Sequence, residues 1–385
     1  MKGLLRNPPL SLYVHMPWCV RKCPYCDFNS HTAPDELPAG EYIQALVADL
    51  EQDLPLIWGR PVQSVFFGGG TPSLFSAEHI ASFLSSVRAL LDLRPDVEIT
   101  LEANPGTVER DSFTAYAQAG VNRVSLGVQS FDDELLRRIG RIHGRQEIER
   151  SLESLQSAGM SNFNIDLMFS LPGQTLAQSR QDIEFAIKAG PAHVSFYQLT
   201  IEPNTVFAAQ PPDLPADDLA WDMQQAGLEL LEANAYKQYE ISAFAQADKR
   251  SRHNMNYWRY GDFLAVGAGA HGKITMAAES SVQRFAKHRH PKRYLQGLGT
   301  GDWRAETRLL SEDELVFEFF LNQLRLKQGL SIDDFQARTG LPWTAVESRV
   351  QKAVERNLLQ LQHGRVSSTS LGWRFVNDIQ QMFLP

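Results

Sequence analysis

The chain has few cysteines: it holds three in 385 residues, and all of them lie between Cys19 and Cys26. Three thiols in one short segment cannot cross-link a fold, which excludes a disulfide framework. The sequence also lacks an apolar run of the roughly 18 residues that a membrane span needs. Its opening segment contains Pro8 and Pro9 and does not resemble a signal peptide. We therefore expect a cytoplasmic protein with a specialised site at its cysteines.

An excess of positive charge is missing as well, because 37 Lys and Arg stand against 45 Asp and Glu. The formal net charge of −8 argues against a general nucleic-acid binder, since neutralising phosphates needs a basic surface. With 43% hydrophobic and 21% charged residues, the composition is that of a globular protein and not of a disordered one. We predict that nucleic acid is not a partner.

The spacing Cys19-x-x-x-Cys23-x-x-Cys26 indicates a metal centre. A structural zinc site usually needs four protein ligands, and no pattern around the Cys23–Cys26 pair supports a thioredoxin-like redox site. Three soft thiolates on one loop suit a [4Fe-4S] cluster, which leaves the fourth iron without a protein ligand. An open iron can bind the amino and carboxylate groups of S-adenosylmethionine (SAM). We therefore predict Cys19, Cys23 and Cys26 as cluster ligands, with SAM on the open iron.

Short β-rich runs alternate with amphipathic helical stretches along the first two thirds of the chain. The predicted strands are residues 11–15, 62–67, 97–101, 123–128, 162–169 and 193–199, and the first helices are residues 41–56 and 77–91. Crossover helices of this kind join parallel strands, so the pattern predicts an α/β fold with a partial or complete βα barrel. The cysteine segment and the polar loops all follow strands, where the functional groups of βα barrels gather.

Further motifs follow these strands: Gly68-Gly69-Gly70-Thr71-Pro72, Glu102-x-Asn104-Pro105, Gly127-Val128-Gln129-Ser130-Phe131 and Asn164-Ile165-Asp166-Leu167. With them the sequence resembles the radical SAM proteins, in particular the oxygen-independent coproporphyrinogen III oxidase group and its branch of heme chaperones. The resemblance implies a partial (β/α)6 barrel with a [4Fe-4S] cluster and SAM. It implies that SAM is bound by Tyr13, Tyr25, Gly69, Gly70, Thr71, Glu102, Gln129, Arg141 and Asp166.

Two departures separate the chain from the oxidases of this group. Phe28 stands where the oxidases have a further cysteine, and only 18 residues precede Cys19. The stretch His253-Asn254-Met255-Asn256-Tyr257-Trp258 instead matches the heme-binding pattern of the chaperone branch. The resemblance therefore implies heme as a further ligand, with His253 as its candidate residue and His271 as a second one. A basic stretch follows, which we interpret first as a solvated surface run and second as a partner of heme propionates: Arg284, Lys287, His288, Arg289, His290, Lys292 and Arg293.

The predicted function is that of a heme chaperone that passes heme to apo-haemoproteins. The alternative is an oxygen-independent coproporphyrinogen III oxidase or a related radical SAM enzyme. Because of Phe28 we expect no coproporphyrinogen oxidase activity, while SAM cleavage stays open. We further consider a homodimer and a peripheral contact with a membrane haemoprotein.

The chain is expected to divide into three parts. Residues 1–245 form the barrel, residues 246–310 a connecting region with the heme-binding motif, and residues 311–385 a C-terminal module. In that module helical segments at 311–326, 332–338 and 344–356 precede two short strands, which is typical of a winged helix. Acidic residues offset its basic ones, so we interpret it as a packing or partner domain and not as a DNA reader.

Overall fold

The computed structural model describes residues 5–106 and 112–385; residues 1–4, part of the opening segment considered above, lie outside it. The first half alternates strands and helices. Its elements are β1 Leu10–Met16, β2 Trp18–Cys19, β3 His31–Thr32, α1 Ala39–Asp53, β4 Val62–Gly69, α2 Ala77–Leu90, β5 Leu93–Ala103, α3 Phe113–Ala119, β6 Arg123–Gln129, α4 Asp133–Arg138, α5 Arg145–Ser157, β7 Phe163–Phe169, α6 Leu176–Ala189 and β8 His193–Gln198.

The second half adds shorter strands and a helical module. The elements before the module are α7 Val206–Ala209, α8 Asp217–Ala233, β9 Lys237–Glu240, β10 Ala243–Ala245, α9 Arg252–Trp258, β11 Asp262–Val266, β12 His271–Met276, β13 Ser281–Lys287, α10 Pro291–Leu295, α11 Gly297–Thr300 and β14 Arg304–Leu309. The module contains α12 Glu312–Gln323, β15 Leu330–Ser331, α13 Ile332–Thr339, α14 Glu347–Glu355, β16 Leu359–Gln362, β17 Arg365–Ser368, α15 Ser370–Arg374 and α16 Val376–Gln381.

One open sheet runs through the molecule in the order β14-β13-β12-β11-β1-β4-β5-β6-β7-β8-β10-β9. The six predicted strands are β1, β4, β5, β6, β7 and β8, and they pair in parallel in the order of the chain. The predicted α/β fold with a partial barrel is confirmed. Strand β11 joins the parallel part beside β1, with Leu10 opposite Asp262 and Val14 opposite Val266. The sequence did not predict β11, because a five-residue buried run between polar loops carries no clear periodicity.

Strand β1 shows how the sequence divides core from site. Its even-numbered apolar residues Leu10, Leu12, Val14 and Met16 belong to the main hydrophobic core. Because side chains of a strand alternate between its faces, the odd-numbered positions Ser11, Tyr13 and His15 share the other face, which is the inner face of the sheet. The inner face thus carries polar and aromatic groups from the amino end to the carboxyl end of the strand.

The C-terminal module has its own hydrophobic core and a small sheet in the order β15-β17-β16. The three predicted helices and the two strands of the wing are confirmed as α12, α13, α14, β16 and β17, and α15 and α16 follow them. Residues 246–310 contribute β11 to β14 to the large sheet. The division into three parts at residues 245 and 310 stays a prediction. None of the described helices is long and apolar enough to cross a bilayer.

A buried ion cluster fixes the strands after β11 to the first helix. The ammonium of Lys287 on β13 is fully buried and contacts the carboxylates of Asp49 and Asp53 on α1. Asp49 also accepts a hydrogen bond from Tyr294 at 2.6 Å, and Arg304 on β14 pairs with Asp53. Burial is the main reason why the pKa of Asp49 is raised to about 6, and the positive charge of Lys287 opposes this effect. The cluster therefore depends on Lys287.

Replacing Lys287 with Met should destabilise the fold, because it leaves the buried carboxylate of Asp49 without a cation and that of Asp53 with Arg304 alone. We expect Lys287→Met to lower the free energy of unfolding by about 3–5 kcal/mol. The control is Lys292→Met, the same change at an exposed position, with an expected effect of under about 0.5 kcal/mol. Urea-induced unfolding followed by circular dichroism measures both. Equal stability of the two variants would contradict the assignment.

Candidate active site

Two cavities lie along the inner face of the parallel strands. The upper cavity, about 560 Å³, is lined by Tyr13, His15, Asp27, Phe28, Asn29, Gly69, Glu102, Tyr257, Phe263, Gly269, His271, Arg284 and Arg289. The lower cavity, about 290 Å³, is lined by Tyr13, Phe66, Thr100, Glu102, Arg123, Ser125, Asn164, Asp166, His193, Ser195, Ser251, His253, Asn254, Tyr257 and Trp258. Tyr13, Glu102 and Tyr257 belong to both. The upper cavity lies at the carboxyl ends of the strands and the lower cavity nearer their amino ends.

The three cysteines lie in the loop between β1 and α1, which we call the cluster loop (residues 17–33). Strands β2 and β3 pair in parallel inside it, so that Cys19 lies opposite Thr32. The amide of Cys26 donates to the carbonyl of Cys23 at 3.2 Å, which closes a turn between these two thiols. All three cysteines are free and partly exposed. The loop therefore presents three thiols side by side at the carboxyl end of β1.

This donor set fits a cluster. Among the described residues no three His, Cys, Asp or Glu side chains converge to hold one metal ion. In a cubane each thiolate binds a different iron, and the three thiols lie close enough for their charges to interact. Burial raises the pKa of both Cys19 and Cys26. The guanidinium of Arg141 lies 3.7 Å from the Cys23 sulfur, where it would stabilise a thiolate.

The glycine-rich segment after β4 packs directly on the cluster loop. The amide of Gly70 donates to the carbonyl of Met16 at 2.7 Å, and that of Thr71 to the carbonyl of Trp18 at 2.7 Å. A Cβ atom on Gly70 would lie 2.6 Å from the Trp18 oxygen, and Gly69 has a φ of +111° with the His15 ring against it. The sequence predicted these glycines as a cradle for SAM. Their close packing on the cysteine-bearing strand is a second reason for glycine here.

Two acidic residues predicted to bind SAM lie close together on β5 and β7. Glu102 accepts a hydrogen bond from the Gly69 amide at 3.2 Å, and burial, followed by the charge of Asp166, raises its pKa to about 8. Asp166 accepts from Asn164 at 2.8 Å and from Ser125 at 3.1 Å, and burial raises its pKa too. Glu102 is therefore largely protonated at neutral pH before any ligand binds.

Gln129 and Arg141 meet at the end of β6. Arg141 donates to the Gly127 carbonyl at 2.7 Å and to the side chain of Asn104. Gln129 is held by the Tyr197 hydroxyl, which donates to its side-chain oxygen at 2.8 Å. Its backbone has a φ of +70°, a conformation that residues other than glycine seldom adopt and that clusters at functional sites. Sequence reasoning missed Tyr197, since a single tyrosine in a strand carries no motif.

The two predicted tyrosines have different surroundings. The Tyr13 hydroxyl bonds His15 Nδ1 at 3.0 Å, and its ring lines both cavities. Tyr25 lies in the cluster loop and packs against Phe207, with the ring centroids 6.4 Å apart. Tyr13 therefore faces the cavities, whereas Tyr25 packs beside the cysteines.

The segment predicted to bind heme forms helix α9, which lies at the amino ends of the strands. Its first amides donate to the carboxylate of Glu98, from Arg252 at 2.9 Å and from His253 at 3.2 Å. His253 is 3% exposed and stacks on Phe66 at 4.8 Å. Its Nδ1 lies 3.1 Å from Ser64 Oγ, while its Nε2 has no hydrogen-bond partner in the described part of the chain. Burial lowers its pKa to about 3, so the imidazole is neutral.

The cluster loop is tied to the strands beyond α9 by Asn29, which sequence reasoning also missed. Its amide nitrogen donates to the carbonyls of Ala268 at 2.9 Å and Arg289 at 2.8 Å. Gly269 has a φ of +81°, and a Cβ atom there would lie 2.2 Å from that nitrogen. These contacts bring His271 and Arg289 to the upper cavity. No signal in the sequence pairs Asn29 with residues about 240 positions away.

Comparison with known proteins places this chain among radical SAM proteins. Residues 13–186 match the family model of the Radical SAM superfamily, and residues 310–375 match that of the HemN C-terminal domain. The heme chaperone HemW of Haemophilus influenzae is 45% identical over 381 residues, which is 98% of each chain. HemW of Escherichia coli is 45% identical over 99% of this chain and all of its own length, and HemW of Bacillus subtilis is 32% identical over 97% of this chain and 99% of its own.

A solved structure supports the fold. Coproporphyrinogen III oxidase (HemN) of Escherichia coli, described as a radical SAM enzyme, superposes with a TM-score of 0.82 at 24% identity, covering 98% of this chain and 90% of that one. At 24% identity this similarity shows the architecture only. The radical SAM barrel and the HemN-type C-terminal domain are therefore shared, and the chemistry has to be argued from the residues.

Replacing Glu102 with Gln should stabilise the protein as the pH rises. The folded chain holds the Glu102 proton up to about pH 8, whereas the unfolded chain releases it above about pH 4.5. The stabilising contribution of this proton is therefore complete below pH 4.5 and is lost as the pH rises to about 8. Glutamine keeps a neutral side chain and an acceptor for the Gly69 amide.

We expect the advantage of Glu102→Gln over the natural chain to grow across this interval, as measured by urea denaturation at its two ends. The exposed Glu153→Gln serves as the control, for which no comparable growth is expected. A difference between Glu102→Gln and the natural chain that stays constant with pH would show that the carboxyl is not held protonated.

Proposed function

This chain belongs to the HemW family of radical SAM proteins, and on that premise we propose that it is a heme chaperone that carries a SAM-bound [4Fe-4S] cluster. It would bind heme and pass it to apo-haemoproteins. The observation that carries the proposal is the identity of 45% over nearly the whole length of two HemW relatives. We propose a cytoplasmic location for this activity.

The cluster and SAM would be held at the carboxyl ends of the strands. Cys19, Cys23 and Cys26 would bind three irons, and the cluster would supply one electron to SAM when both are bound. Three predicted SAM residues converge from different strands, because Glu102 accepts a hydrogen bond from the Gly69 amide and lies close enough to Asp166 for the charge of that carboxylate to raise the pKa of Glu102. This convergence, which a structural role of each residue alone would not need, supports the SAM proposal.

Arg141 would connect the two cofactors. Its guanidinium reaches the Cys23 sulfur on one side and the Asn104 side chain on the other. One of its nitrogens, Nε, is buried and has no hydrogen-bond partner among the residues that the structure describes. A cation at this position would stabilise the thiolate and attract the SAM carboxylate. Tyr13 lines both cavities and would pack against the SAM that binds the open iron.

Heme would enter from the side of Phe28. This residue is 60% exposed and lines the upper cavity, where the resembling oxidases carry a further cysteine. An apolar side chain at this place suits the face of a porphyrin, and it does not supply the thiol of an oxidase.

A homodimer and contact with a membrane haemoprotein remain proposals that follow from the transfer role.

The complete set of predicted SAM residues favours the second candidate, a radical SAM enzyme such as a coproporphyrinogen III oxidase. Anaerobic incubation of the cluster-loaded chain with SAM, a reductant and coproporphyrinogen III separates the two. We expect no decarboxylated product by mass spectrometry. Stoichiometric decarboxylation would overturn the chaperone proposal.

Replacing Cys26 with Ser should abolish the cluster, because two thiolates cannot hold the cubane in place. We expect the reconstituted Cys26→Ser chain to lose most of its iron and acid-labile sulfide and its visible charge-transfer absorption. Arg21→Ser, an exposed change in the same loop, should retain all three. Full iron and sulfide content in Cys26→Ser would contradict the ligand assignment.

Hemin titration tests the proposed function directly. We expect the full chain, cluster-loaded and kept anaerobic, to give a saturable Soret band with one equivalent of hemin. Heme loaded in this way should then move to apomyoglobin, used as a defined acceptor. A chain that shows no saturable Soret band would not be a heme chaperone.

A further inference from the structure

We propose that Asp182 on α6 is a positioning residue of the SAM site, because its buried carboxyl group holds the turn after β6 from which Gln129 reaches the place proposed for SAM. This role rests on the proposed SAM binding. It adds to the site a residue that belongs to none of the motifs of the sequence. Asp182 itself touches no cofactor and acts through Gln129.

The turn after β6 has an unusual backbone. Gln129, the last residue of the strand, has a φ of +70°, in the left-handed region that residues other than glycine seldom adopt. The register between β6 and β7 also shifts between Leu126 and Gln129. Such a conformation persists only where the surrounding structure fixes it.

One carboxyl group fixes the three residues that follow Gln129. The amide of Phe131 donates to Oδ1 of Asp182 at 2.7 Å, and the hydroxyl of Ser130 donates to Oδ2 at 2.8 Å. The same hydroxyl accepts from the amide of Asp132 at 3.1 Å. Asp182 and Ser130 are 3% and 0% exposed, so water does not compete for these hydrogen bonds. Asp182 therefore fixes the path of the chain directly after Gln129.

Asp182 also reaches the turn after the neighbouring strand β7. The side-chain nitrogen of Gln174 donates to Oδ2 of Asp182 at 3.4 Å, and the side-chain oxygen of Gln174 accepts from the amide of Leu171 at 3.1 Å. Ser170, directly before Leu171, has a φ of +59°. Two turns with left-handed residues, at the ends of β6 and β7, are thus linked through one side chain.

Helix α6 itself does not need this carboxyl group. It begins after Thr175, whose hydroxyl accepts from the amide of Gln178, and the Gln178 side chain completes the capping box. Burial is the main reason why the pKa of Asp182 is raised to about 7. In the described part of the chain, all hydrogen bonds to the carboxyl group come from the two turns. Holding these turns is therefore what compensates for the burial of Asp182.

The turn brings Gln129 next to the residues around the cysteines. A Cβ atom on Gly127 would lie 3.2 Å from Nε2 of Gln129 and 3.3 Å from Nη2 of Arg141, so these two side chains meet over the glycine. Arg141 in turn lies 3.7 Å from the Cys23 sulfur. The side-chain oxygen of Gln129 accepts from Tyr197 at 2.8 Å, which leaves its amide nitrogen to donate to a carboxylate or ribose oxygen of SAM. A rotation of the turn would move this nitrogen away from the site.

Variants at Asp182 and Gln129 test whether the two residues act together. The full, cluster-loaded chain is kept anaerobic, and its dissociation constant for labelled SAM is measured by equilibrium dialysis. We expect Gln129→Ala and Asp182→Ala each to weaken SAM binding by about tenfold. Because Asp182 acts through Gln129, the double variant should bind SAM within about twofold of Gln129→Ala alone. Losses that add up to about a hundredfold would overturn the inference.

Two further variants separate positioning from a general loss of structure. Asp182→Asn keeps the size of the side chain and an oxygen for the Phe131 amide, so it should lose less SAM affinity than Asp182→Ala, and it replaces that variant in the cycle if the latter does not fold. Glu184→Ala, an exposed change on the same helix, should bind SAM as the natural chain does. All variants should keep their iron, their sulfide and their affinity for hemin. A joint loss of hemin and SAM binding would show that Asp182 supports the fold as a whole, which also overturns the inference.

Hydrogen exchange tests the hold on the turns in the full chain without any added ligand. We expect Asp182→Ala to speed the exchange of backbone amides in residues 129–132 and 170–174 by at least about tenfold, because the turns lose a shared acceptor. Residues 145–157 of α5 are the internal reference and should exchange as in the natural chain. Unchanged exchange in residues 129–132 would contradict the role of Asp182.

The failure of this inference differs from the failure of the proposed function. If the natural, cluster-loaded chain does not bind SAM, the proposed SAM site itself fails. If it binds SAM and Asp182→Ala binds SAM equally tightly, only the positioning role of Asp182 is overturned.

Discussion

The side-chain amide of Asn29 donates two hydrogen bonds that connect the cluster loop with the strands that follow α9. They reach Ala268 and Arg289, so the loop that carries the cysteines and the end of β13 form one wall. Without them the upper cavity would have no fixed boundary on this side. The buried ion cluster around Lys287 holds the same strands to α1 from behind. The candidate site is therefore built between two distant parts of the chain.

The inner face of the sheet separates two chemical environments along its strands. At the carboxyl ends, thiols, glycines and Glu102 surround the place where SAM is proposed, while Asp166 lines the lower cavity. At the amino ends, α9 packs its own His253 against Phe66 and closes the interior. Because the pKa of Glu102 is raised to about 8, this side chain is largely neutral at pH 7.

Much of the fold and of the candidate site was predictable from the sequence, because the sequence signals are local. The cysteine spacing lies in eight consecutive residues, and each parallel strand is a buried apolar run that ends in a polar loop. The topology then places the strands that carry Glu102, Gln129 and Asp166 next to one another. What could not be predicted depends on contacts between distant residues: β11 beside β1, the amide of Asn29 and the position of α9. The motif around His253 is visible in the sequence, but its burial by Ser64 and Phe66 is not.

The central claim is that the three cysteines hold a [4Fe-4S] cluster and that the same chain binds heme at a separate place. Crystals of the cluster-loaded chain with hemin, measured at the iron absorption edge, locate both by anomalous scattering. The account predicts iron density at Cys19, Cys23 and Cys26 and one further iron, that of heme, elsewhere in the chain. Iron density missing at the three cysteines, or no heme iron in the chain, would contradict it.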